Sequence, residues 1–218
     1  MTTTFHAAHA PAAGARNYAK WALFAVMAAL AIAAIQADER FLFDRTDHEW
    51  KHIAAFKWWL LPHGLAGVTA LVLGPFQFSE RIRKGNPALH RLMGRIYLSA
   101  VAIASLLSIY ITLRFEPHGF HVEIWAQGGG WFLCAALAYI YARKRNFVLH
   151  RQWVARSYGF TFIFIMARVP DAFHVHWPNG TEFIEFLWML VFLALIVPDL
   201  ILQSNELFKR RASGARAR

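Results

Sequence analysis

NPALHRLMGRIY, residues 86–97, is the stretch on which the fold turns. It closes a basic segment and opens an apolar run that continues to Leu113. Asn86 is a good N-cap, and Pro87 then falls at the first helical position, where its missing N–H costs nothing. His90 and Arg91 occupy the first turn. A partial copy follows sixty residues later as NFVLHRQWVARSY, residues 146–158. The two share Asn, Leu, His and Arg at one spacing. Each then carries an Arg and a Tyr one to two turns on: Arg95 and Tyr97, Arg156 and Tyr158. A helix entering a membrane from its cytoplasmic side selects an N-cap and basic residues, which accounts for Asn and Arg. It does not account for His at the same place twice.

Outward from this element the composition fixes the class. Of 218 residues 57% are apolar and 17% charged, with nine Trp and nineteen Phe. Mean hydropathy is +0.33. The chain reads as an all-α, polytopic integral membrane protein with a single membrane domain. The one cysteine, Cys134, lies inside an apolar run, which excludes an intramolecular disulfide, a thiolate metal site and covalent haem attachment.

Six apolar runs are long enough to cross a hydrocarbon core of about 30 Å. They are residues 21–37, 58–78, 87–113, 124–141, 147–169 and 183–207. The first has a basic flank like that of a signal peptide, but no clean A-x-A site follows, so it reads as an anchor. Residues 1–19 are Ala-rich and read as a disordered tail, 20–208 as the six-helix domain, and 209–218 as a basic tail. Residues 38–57 read as interfacial and 79–86 as a basic loop. The second and third spans look duplicated by the fourth and fifth, each pair forming a hairpin.

Charge sets the orientation. Both termini and the segments 79–95 and 142–156 hold 17 of the 23 Lys and Arg, and the opposite side holds 10 of the 13 acidic residues. The basic side is therefore cytoplasmic and both termini lie inside. The net charge of +10 is a topology signal, with some attraction to anionic lipid, and not a nucleic-acid surface.

Histidines in or beside spans carry the chemistry, because ionisable residues are costly there and usually functional. His63 and His121 fall at the outer ends of the second and fourth spans. His90 and His150 fall at the inner ends of the third and fifth. Parallel helices place each pair at one depth, where two imidazoles can ligate a haem b iron from opposite faces. Gly67 and Gly94, each four residues after a histidine, leave room for a macrocycle on the histidine face. Arg91, Arg95, Arg151 and Arg156 can pair with propionates or an anionic head group. For Arg95 and Arg156 the acids Asp199 and Glu80 are the other candidate partners. No flavin or nucleotide motif is present, so an electron donor is a quinone, a small molecule or another redox protein, and any catalysis is that of a membrane oxidoreductase.

HGLAGVTALVLGPFQF (63–78), LHRLMGRIY (89–97) and HRQWVARSY (150–158), with Arg168, resemble a family of bacterial predicted membrane proteins known only as a domain of unknown function. That resemblance implies a bacterial inner-membrane location and transfers no activity. In architecture alone the chain is similar to six-helix dihaem b-type cytochromes, matching at His63, His90 and His150 and poorly at His121. Two other function classes fit the same residues. One is a haem-free transporter or lipid-binding protein gated by Asp199, Glu80 and the arginines. The other is an accessory subunit of a membrane complex.

Overall fold

The computed structural model describes residues 13–38, 46, 48–115, 122–173 and 180–216. Among these residues every regular element is helical: α1 (Ala13–Asp38), α2 (His48–Ile53), α3 (Lys57–Gln77), α4 (Glu80–Gly85), α5 (Pro87–Phe115), α6 (Val122–Arg143), α7 (Phe147–Ala172) and α8 (Gly180–Arg216). The six long helices fall on the six apolar runs. α3, α5 and residues Thr181–Ser204 of α8 are long and apolar enough to cross a membrane, while the apolar part of α1, Phe24–Ala33, is shorter. The chain is a multi-pass membrane protein.

α7 is the polar exception, with Arg151, Arg156 and Arg168 along its length. Its position explains the tolerance. It packs against α1, α3, α6 and α8, and Val154, Ser157, Phe160, Thr161, Ile163, Ile165 and Ala167 on it are buried. A helix walled by its neighbours meets little hydrocarbon and need not be apolar all round. α5, by contrast, turns Ile96, Ile103, Leu106, Tyr110 and Leu113 outward.

The most extensive helix contacts are α3 on α5 and α6 on α7, with α8 against α7 and α5 against α6. Small residues let backbones close up. A Cβ on Gly159 of α7 would lie 2.6 Å from the Ala194 carbonyl oxygen of α8. The Tyr158 ring likewise covers the place where a Cβ on Gly74 would go.

Three sequence-based boundaries differ. The expected loop at 79–86 contains α4, started by Ser79, whose Oγ accepts from the Ile82 N–H at 3.4 Å. α1 begins at Ala13, and α8 continues to Arg216. Ala, Arg and Lys are strong helix formers, so these flanks extend the spans as helix. Residues 1–12 lie outside the described residues.

Candidate functional site

The two N-x-x-L-H-R elements start α5 and α7 with the same cap. Asn86 Oδ1 accepts from the Leu89 N–H at 2.9 Å, and Asn146 Oδ1 from the Leu149 N–H at 3.2 Å. Each cap satisfies an orphan donor of the first turn and fixes where the following histidine stands.

The surroundings of the two histidines differ. His150 Nδ1 donates to the Ala138 carbonyl of α6 at 2.9 Å. A carbonyl only accepts, so Nδ1 carries a proton. His90 Nδ1 is buried and has no hydrogen-bond partner among the described residues. One turn above His90 on the same face is Gly94, where a Cβ would lie 3.2 Å from the Gln77 Oε1. Gln77, at the end of α3, is only 9% exposed, and its Nε2 also lacks a partner among the described residues. This end of the bundle therefore holds a ring nitrogen and an amide nitrogen with unused hydrogen-bonding capacity.

α5 packs on α3 and α6, and α7 on α6, α8 and α1. Between α5 and α7 side chains make the connection. The Tyr97 hydroxyl, two turns above His90, is 2.9 Å from Ser157 Oγ and 3.3 Å from Thr161 Oγ1. Trp131 Nε1 of α6 donates to the same Thr161 oxygen at 3.1 Å. Ser157 is fully buried and Tyr97 only 1% exposed. A satisfied polar network of this kind fixes one packing of three helices.

His63, toward the other end of α3, follows the His150 pattern. Its Nδ1 donates to the Ala104 carbonyl of α5 at 2.9 Å, and its ring stands edge-on to Phe164, centroids 6.5 Å apart. Nothing lies within 4 Å of a Cβ built on Gly67. His121, its expected partner, and His118, His174 and His176 lie outside the described residues. Among the described residues no group of three or more His, Cys, Asp or Glu is arranged to hold a metal ion.

Of the arginines, Arg156 has the expected acidic partner. Its Nη2 donates to Asp199 Oδ2 at 2.6 Å, and its guanidinium lies 4.4 Å from the Trp153 ring centroid. Arg91, Arg95 and Arg151 are exposed. Glu80, the other expected acid, pairs on its own helix with Arg83 at 3.8 Å and Lys84 at 3.0 Å. Arg95 thus departs from the inward-facing role expected of it, because five residues after His90 it falls on a different face from the histidine.

Sequence reasoning missed Gln77 and the backbone carbonyls of Ala104 and Ala138. A lone amide ending an apolar run, PFQF, is a readable signal for the first. The carbonyls leave no mark in sequence.

No curated protein and no solved structure matches the chain. The family described as predicted membrane protein (DUF2306) matches residues 60–205, which take in α3 to α7 and most of α8, and with them both capped histidine elements and the Arg156–Asp199 pair. That span is well over half of the chain, and the chain belongs to this family of predicted membrane proteins.

Proposed function

We propose that the basic half of the bundle holds a haem b between His90 and His150, and that the protein carries electrons in the membrane. The observation that carries this reading is the anchoring of His150. Metal-ligating histidines characteristically donate one ring N–H to a carbonyl or carboxylate, which orients the ring and frees the other nitrogen. His150 does this through Ala138, and His63 does it through Ala104. His90, with its buried and unpartnered Nδ1, is the second ligand to the same iron. A flat group clasped by two imidazoles needs more than the roughly 8–10 Å between directly packed helices. α5 and α7 are linked by the Tyr97 hydroxyl on Ser157 and Thr161, and the spacing of these two helices at the histidines is what the reading requires to be wide.

A second site would use His63 with His121. In this reading the six long helices all cross, with both termini cytoplasmic, supported by the 17 of 23 basic residues on one side. A lipid bilayer surrounds them, and a quinone or a redox protein exchanges the electrons.

A haem-free ligand-binding protein or transporter is the second reading. The Tyr97, Ser157, Thr161 and Trp131 network favours it, since it fills the space between α5 and α7 two turns above the histidines. A reduced-minus-oxidised optical spectrum of protein purified from haem-replete cells separates the two. The haem reading expects b-type bands that diminish in His90→Ala and in His150→Ala. A colourless protein ends it and leaves the second reading. Reporter fusions at Lys209 and His118 should report opposite sides of the membrane.

A further inference from the structure

Arg91 and Arg95 of α5 have no part in the histidine site. They are four residues apart, so they share a face with Cβ atoms roughly 5–6 Å apart. Both are exposed, and neither makes a salt bridge or a side-chain hydrogen bond among the described residues. The nearest acids have cations of their own: Glu80 pairs with Arg83 and Lys84, and Asp199 with Arg156. Leu92, Ile96 and Ile103 are exposed around and beyond the two arginines, so this face of α5 meets lipid. Length gives the depth. Between Arg95 and Arg114 the helix carries no charged residue, and the nineteen steps from one to the other rise roughly 28 Å. A hydrocarbon core is about 30 Å thick. Arg95 therefore stands at one edge of the core, and Arg91, about 6 Å nearer the helix start, at the level of the head groups. Side chains on a helix lean toward its N-terminus, so Arg95 leans out of the hydrocarbon and toward Arg91.

We propose that Arg91 and Arg95 hold the phosphate of one acidic phospholipid, with its acyl chains along Ile96 and Ile103. Charge and depth define the ligand. A guanidinium at the edge of the core is costly unless an anion meets it. A phosphodiester is the anion that a bilayer supplies at this depth, and the guanidinium fork matches two of its oxygens with parallel N–H bonds. Two such forks four residues apart reach one phosphate from both sides. A choline or ethanolamine head would set a further cation beside two guanidinium groups, with no carboxylate to receive it. The head is therefore one without an amine, as in phosphatidylglycerol. The second capped element does not repeat the site, because Arg156 of α7 is bonded to Asp199. This inference rests on α5 crossing the membrane and not on haem between His90 and His150.

The test is thermal unfolding of the full chain in dodecyl maltoside, titrated with dioleoyl phosphatidylglycerol. This lipid should raise the midpoint in a saturable way, while dioleoyl phosphatidylcholine and sodium phosphate should not. Arg91→Gln and Arg95→Gln should each weaken phosphatidylglycerol binding at least about tenfold. Lys144→Gln, which removes an exposed cation from the turn between α6 and α7, should leave it unchanged. The inference is overturned if phosphatidylglycerol gives no shift, or if phosphatidylcholine or phosphate gives one as large. It is also overturned if either arginine variant, unfolding in a single transition, binds phosphatidylglycerol as tightly as wild type. Equal losses in Lys144→Gln and Arg95→Gln overturn it too, since the lipid then meets the charge of the whole basic end and not a site on α5.

Discussion

The starts of α5 and α7 share a cap and a His-Arg pair, yet they come to different ends. Up to the histidine the two share Asn, Leu and His at one spacing and the same hydrogen bonding: His90 N–H to Asn86 O at 3.1 Å, His150 N–H to Asn146 O at 2.9 Å. Beyond it they slip by one residue. Tyr97 comes seven residues after His90, and Tyr158 eight after His150; Arg95 comes five after, and Arg156 six. One residue is about 100° of helix. The tyrosine of α5 therefore points across to Ser157 and Thr161. The tyrosine of α7 lies against Gly74 of α3, its hydroxyl donating to the Leu71 carbonyl at 3.3 Å. The arginine of α5 is exposed, and that of α7 reaches Asp199. A single inserted residue turns a repeat into two distinct sites, and the lesson is that the repeat fixes depth while the slip fixes facing.

The largest test of that contrast removes the two arginines. Arg156→Ala leaves the Asp199 carboxylate without its cation in a partly buried place. Breaking a fully buried pair costs about 3–5 kcal/mol. With side-chain exposures of 20% and 29% for the pair, about 2–3 kcal/mol is expected here. Arg95→Ala should stay within about 0.5 kcal/mol of wild type. Thermal unfolding in detergent reads both, and equal losses would break the comparison.

A smaller effect separates the histidines in protein free of any bound chromophore. His150→Leu removes the imidazole bond to the Ala138 carbonyl, which keeps its helical donor, and should cost about 0.5–1.5 kcal/mol. His90→Leu removes a buried nitrogen that has no hydrogen-bond partner among the described residues, and should be neutral or stabilising by up to about 1 kcal/mol. A comparable loss in both would show that His90 also has a structural bond in the folded protein.

How much of this was legible follows from the same residues. The six long helices, the caps at Asn86 and Asn146 and the Arg156–Asp199 pair could be read, because hydropathy, N-capping chemistry and the cost of a bare arginine in a membrane leave marks in sequence. The split between Arg95 and Arg156 was visible in principle as five against six residues, but the matching Arg and Tyr invited one role for both. The anchoring of His63 and His150 could not be read, since the acceptors are backbone carbonyls of alanines forty-one and twelve residues away. Nor could the filling of the α5–α7 gap by Tyr97, Ser157, Thr161 and Trp131, which depends on the rotation of three helices about their axes.

The turns that precede the two elements offer the smallest test. Before α5, Asn86 follows α4 at φ −140°, a conformation open to any residue. Before α7 the chain uses a Schellman turn, with the Asn146 N–H on the Tyr141 carbonyl at 3.0 Å, and Arg145 takes φ 56°. That left-handed conformation costs a residue with a Cβ about 1–2 kcal/mol. Arg145→Gly removes the cost but loosens the unfolded chain by about 0.4–1 kcal/mol. A net gain of about 0.5 kcal/mol is expected. Asn86→Gly has no such strain to relieve and loses a cap bond, so it should cost a few tenths of a kcal/mol. Midpoints of thermal unfolding should therefore move in opposite directions for the two glycine variants. Arg145→Asn, which tolerates the left-handed region, should fall with Arg145→Gly. If both Arg145 variants lose stability, the arginine is held in its strained conformation by a contact of its own, and the second turn is then more than a connector.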